Sequence, residues 1–89
     1  MQQYLNAKIE VTETTQHFSH LDSYTSYAVA TTDTTITDLR VAVQAAGFRT
    51  LRVWLPDTVG TMDLRSDRVN AHIEKNQAGE WRIARLNVG

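Results

Sequence analysis

The sequence predicts an α+β domain, a small sandwich of one α-helix on a mixed β-sheet with a long exposed loop and an N-terminal β-hairpin extension. Three observations carry this reading. A single segment, residues 36 to 46, repeats its apolar residues at helical spacing, whereas several others alternate apolar and polar residues with the period of a half-buried strand. One stretch, Asp57 to Asp67, has neither period and reads as a long loop, a feature that in compact domains is usually functional. At 89 residues and 42% hydrophobic content, the chain suits one domain with a modest core.

Leu5, Ala7, Ile9 and Val11 alternate with polar residues, so a first strand is expected there. Thr12 to Ser23 is polar and reads as a loop, followed by a second strand over Tyr24 to Ala30. The Thr/Asp tract from Thr31 to Thr35 reads as a connector. Residues 1–34 would then form a β extension of the same domain whose main body is 35–89.

The helix is expected over 36–46. Thr35 followed by Asp38 has the shape of a capping box, with Asp in place of the usual Glu. Ile36, Leu39, Val43 and Ala46 make one apolar stripe, Gly47 supplies a left-handed cap, and Phe48 can fold back on Val43. Leu51, Val53 and Leu55 form a strand ended by Pro56, the only proline, which cannot donate to a sheet ladder. Beyond the loop, Val69, Ala71 and Ile73 mark a strand, Asn76 to Gly79 a turn, and Glu80 to Val88 the last strand. In that last strand the apolar set changes face near Ala84 and Arg85, which predicts a bulge.

Composition removes several classes of function. Without cysteine there is no disulfide, no thiolate metal site and no cysteine nucleophile. No apolar run approaches the roughly 20 residues that cross a bilayer, and the N-terminus lacks a secretory signal, so the chain as written is expected in the cytoplasm, or outside it if a signal has been removed. The net charge of −1 argues against a dedicated nucleic-acid binder, although from residue 39 onward eight bases, seven of them Arg, outnumber five acids. Arg suits planar, bidentate hydrogen bonding. His17, His20 and Asp22 are metal-ligand types, but their spacing is common and no fourth ligand accompanies them, so no metal or cofactor is expected. Nor is there a nucleophile elbow, a phosphate-binding glycine loop or a carboxylate pair, and an enzyme is not expected.

The stretch from Pro56 to Asn70 is the most informative. Thr61, Met62, Asp63, Leu64 and Arg65 are followed by Arg68, Val69 and Asn70. This resembles the reactive loop of the potato inhibitor I family of serine-protease inhibitors, and more closely its bacterial and fungal relatives. There a Thr, a large apolar residue, an acid, an apolar residue and Arg precede Arg-Val-Arg or Arg-Leu-Asn on the next strand. The likeness runs from about Thr35 to Gly89. It departs at Gly60, where plant and leech members often carry Val, in a loop one residue shorter and in a longer final hairpin.

The resemblance implies a serine protease as partner and Met62–Asp63 as the bond offered to it, within a binding segment from Gly60 to Arg65. Met62 would fill an apolar pocket of the subtilisin, chymotrypsin or elastase type. Arg68 would brace the loop by bridging Thr61 and Asp63, with Asn70 in place of a second Arg. As a surface-side residue Arg68 would matter little to the fold. Two other readings stand beside this one. The scaffold could serve as a noncatalytic protein–protein interaction module whose N-terminal strands bind a different partner, or, more weakly, as a basic-surface nucleic-acid binder.

Overall fold

The computed structural model describes residues 1–18, 20, 22–60 and 63–89. After a 3₁₀ turn at Gln2–Tyr4 come β1 (Lys8–Ile9), β2 (Val11–His17), β3 (Ser23–Val29), α1 (Thr35–Ala45), β4 (Thr50–Trp54), β5 (Arg68–Lys75) and β6 (Trp81–Val88). One helix lies on a mixed four-stranded sheet of order β1-β6-β5-β4, in which β4 and β5 are parallel and the other pairs antiparallel. Among the described residues β2 and β3 pair only with each other, as a separate ribbon. Among the described residues no helix is long and apolar enough to cross a membrane.

The core lies between the helix and one face of the sheet. Ile36, Leu39 and Val43 come from the predicted stripe and meet Leu51, Val69, Ala71, Ile73, Trp81 and Ile83 from the sheet and Ile9 from β1. α1 contacts β4 and β1, the two edge strands, and so bridges the sheet. Its end follows from Gly47, whose φ of +95° is left-handed. Gly47 N–H donates to the Gln44 carbonyl and Phe48 N–H to that of Val43, at 3.1 Å each, the two bonds of a Schellman cap. Ala46, counted in the stripe, sits at the C-cap and is exposed.

The beginning of α1 differs from the expected capping box. Thr34 holds the N-cap position without a side-chain bond, and the Thr35 hydroxyl turns to the Lys8 carbonyl. Asp33 does the work instead. Buried at 8% exposure, it accepts from Ile36 N–H at 2.8 Å through one oxygen and from Glu10 N–H at 3.0 Å through the other. One carboxylate thereby starts the helix and pins the junction of β1 with β2.

The first thirty residues differ most from expectation. The strand predicted over Leu5–Val11 is interrupted, because Leu5 follows the 3₁₀ turn and is exposed, and Asn6 takes a left-handed φ of 67°. Chain pairing then changes at Glu10, with β1 on β6 before it and β2 on β3 after it. Thr12–Ser23, predicted as a loop, is largely strand, with β2 running to His17 and β3 starting at Ser23. From Thr12 to His17 every residue is exposed, so there is no buried face to imprint alternation, while β-branched Thr favours extended backbone. The bulge appears where the final strand changes face, since His72 pairs with Arg85 and Ile73 with Ile83, leaving Ala84 as the extra residue.

Candidate functional site

Parallel strands cannot be joined by a tight turn, and residues 55–67 supply about the dozen residues such a crossover needs. The described part of this connection carries no helix or strand. Alternation on β4 and β5 assigns their faces. Leu51, Val53, Val69, Ala71 and Ile73 share the helix side, and Arg52, Trp54, Arg68, Asn70 and His72 share the other. Arg68, Val69, Asn70 and Ala71 are all buried, so β5 is covered on both faces.

Arg68 is the centre of the floor. It is 6% exposed, against the expectation of a surface-side arginine. Nη2 donates to the Asp63 carbonyl at 2.7 Å, Nη1 lies 3.8 Å from the Asp63 carboxylate, and Nε donates to the Gly89 carbonyl at 2.8 Å. Bonds from a charged donor are among the stronger ones. Arg68 therefore ties the residue that follows Met62 to the last residue of the chain. Thr61 and Met62 lie outside the described residues, and with them the expected Arg68–Thr61 bond.

Asn70 faces the same side but braces other groups. Its Nδ2 donates to the Gly89 carbonyl at 3.0 Å, and its Oδ1 accepts from Trp54 Nε1 at 3.1 Å. Trp54 stacks on His72 with ring centroids 6.0 Å apart and an 8° angle between the planes, and the Arg52 guanidinium lies 5.5 Å from its centroid. Gly60 rests on this platform. A Cβ at Gly60 would lie 2.3 Å from Trp54 Cη2 and 2.9 Å from Arg52 Nη1, so only glycine fits this approach. Among the described residues Arg52 Nη1, buried beneath Gly60, has no hydrogen-bond partner.

What the loop sends outward contrasts with what it sends inward. Val59 is 96% exposed and Leu64 91%, more than any other large apolar side chains described. Both flank Thr61 and Met62. At the far end, Arg65 forks onto Asp67 through Nε and Nη2 at 3.1 and 3.2 Å, which holds the Asp67 carboxyl below its usual pKa and raises that of Arg65. At the near end, Leu55 N–H donates to the Thr58 hydroxyl at 2.9 Å. His72, inside the floor, has its pKa lowered by burial and by the charge of Arg85, against a smaller raising effect of Glu74.

The motif thus brings Gly60, Asp63, Arg68 and Asn70 into one assembly, with Leu64 and Arg65 on its outer side. Arg52, Trp54, His72 and the Gly89 carbonyl belong to it as well and were not expected. The available signal was the spacing of Arg52 with Trp54 and of Arg68, Asn70 and His72 two apart, polar and aromatic groups set opposite the apolar face. His17, His20 and Asp22 lie on or near the exposed ribbon tip, and among the described residues no group of three metal-ligating side chains gathers. No family model, curated protein or solved structure matched the chain.

Proposed function

We propose that the protein inhibits a serine endopeptidase of the subtilisin, chymotrypsin or elastase type by presenting the Met62–Asp63 bond from this loop, on the plan of the potato inhibitor I family. The observation that carries the reading is the contrast in the loop itself. Gly60 and the Asp63 carbonyl are drawn down onto Trp54 and Arg68, while Val59 and Leu64 stand almost wholly in solvent.

A protease reads an extended segment by main-chain pairing and by pockets for successive side chains. A segment already held needs little further ordering on binding, which favours affinity. In the reaction, the protease serine adds to the Met62 carbonyl carbon, the bond to Asp63 nitrogen breaks, and the histidine passes its proton to that nitrogen. Asp63 is held through its own carbonyl by Arg68, so the amine stays beside the acyl ester. Attack by that amine re-forms the peptide faster than water hydrolyses the ester. Val59 and Leu64, on either side, offer apolar contacts to a protease cleft with hydrophobic subsites.

Titration of subtilisin and chymotrypsin with the purified protein tests this reading. Expected are stoichiometric loss of protease activity and slow cleavage confined to Met62–Asp63. Rapid digestion, or undiminished activity at excess protein, would overturn it. Met62→Lys should shift inhibition toward trypsin, whose pocket holds a carboxylate.

A further inference from the structure

The β2–β3 ribbon is poorly accounted for by the domain that carries it. It joins the body near its root, where Tyr27 meets the Trp81 ring edge to face at 5.5 Å and Lys75 lies 3.5 Å from Glu13. Beyond that, β2 is exposed from Thr12 to His17. An isolated two-stranded hairpin is marginally stable in water.

The two edges of the ribbon are not equivalent. Along β3, Tyr27 N–H donates to the Asp57 carboxylate at 3.3 Å, and the Tyr24 hydroxyl reaches the same oxygen at 3.5 Å. The crossover loop therefore guards that edge. Among the described residues no strand other than β3 pairs with β2. Since Tyr27 turns its amide away from β2, its cross-strand partner Glu13 turns its own amide and carbonyl away from β3, as do Thr15 and His17 by alternation. These groups line an open edge with none of the usual protections. The strand has no proline, no lysine and no register shift, and its one carboxylate, Glu13, is engaged by Lys75.

We propose that this edge pairs with the same edge of a second copy of the chain, antiparallel about a twofold axis at Thr15, giving a four-stranded sheet β3-β2-β2-β3. The strand is complementary to its own reverse in this register. Thr15 faces Thr15 and exchanges both backbone bonds across the axis, Glu13 faces His17 of the second copy twice, and Thr14 faces Gln16 twice. The exposed Phe18 ring comes opposite Thr12. No like charges meet, and like charges directly opposite are what would oppose such pairing. A twofold contact uses the same patch on both subunits, as this one does. A foreign strand could satisfy the backbone equally, but the match of β2 to itself favours a second copy. The inference is independent of what the loop does.

Charge placed on the axis tests it. Thr15 is exposed, and among the described residues its side chain bonds the Thr25 hydroxyl alone, at 3.0 Å, so Thr15→Lys and Thr15→Glu should keep the wild-type circular dichroism. In sedimentation equilibrium at sub-millimolar concentration the wild type should have twice the mass of one chain. Each variant alone sets like charges against each other across the axis and should fall to the mass of one chain. An equimolar mixture of the two pairs Lys with Glu and should return to the double mass. A monomeric wild type would overturn the proposal, as would a Thr15→Lys variant that stays dimeric or a mixture that stays monomeric.

Discussion

At Arg68 the guanidinium is buried while the groups it holds belong to the loop and to the chain's last residue. Removing the side chain takes away two charge-assisted bonds and leaves the half-buried Gly89 carbonyl to Asn70 Nδ2, so Arg68→Ala should cost about 2–3 kcal/mol in urea unfolding. That is more than the roughly 0.5 kcal/mol of a surface position. If the loop is an inhibitor's, the same variant should be hydrolysed at Met62–Asp63 faster than wild type, read by mass spectrometry of the digest. Arg68→Lys keeps the charge without the fork and should fall between the two. His72 supplies a pH dependence of known sign. Its folded pKa lies below the ordinary 6.5, so the unfolded chain binds the proton more readily. Its contribution is complete above about pH 6.5 and is lost as pH falls below that value toward the folded pKa. Thermal melts from pH 8 to pH 5 should show this decline, and His72→Gln should flatten it.

Among the elements, α1 was legible because both its apolar stripe and its C-terminal glycine are local signals. Its beginning was not, since the Asp33 carboxylate accepts from Ile36 N–H ahead of it while also holding Glu10, whose position depends on the strand exchange between β1 and β2. Asp33→Ala should therefore cost about 2 kcal/mol, a helix cap together with an orphaned amide. Asp33→Asn keeps only part of this, because its amide nitrogen cannot accept. At the other end, a Cβ on Gly47 meets nothing within 4 Å, so Gly47→Ala reports left-handed strain alone, about 1–2 kcal/mol. Urea denaturation would measure both. β2 escaped detection for a physical reason: period two is written by burial of one face, and this ribbon has no buried face between Thr12 and His17.

For the molecule as a whole, the α+β class and the single helix could be read from period and length. The contact between Asp63 and Arg68 could be anticipated because the two lie close together in one motif. The floor could not, since Arg52 and Trp54 from β4, His72 from β5 and Gly89 after β6 converge only once the sheet register is set. Gly60 joins the two levels. Gly60→Ala must displace an indole that Asn70 and His72 already hold, so the loop should lift while the core stays in place. Limited proteolysis between residues 58 and 65 should accelerate in this variant with the urea midpoint little changed. The chain's two tryptophans fall at separate attachments, Trp54 beneath the loop and Trp81 against Tyr27 at the root of the ribbon. The protein therefore carries two built-in fluorophores with distinct loyalties. Emission from Trp81→Phe tracks the loop's seat and any protease that docks on it, while emission from Trp54→Phe tracks the ribbon.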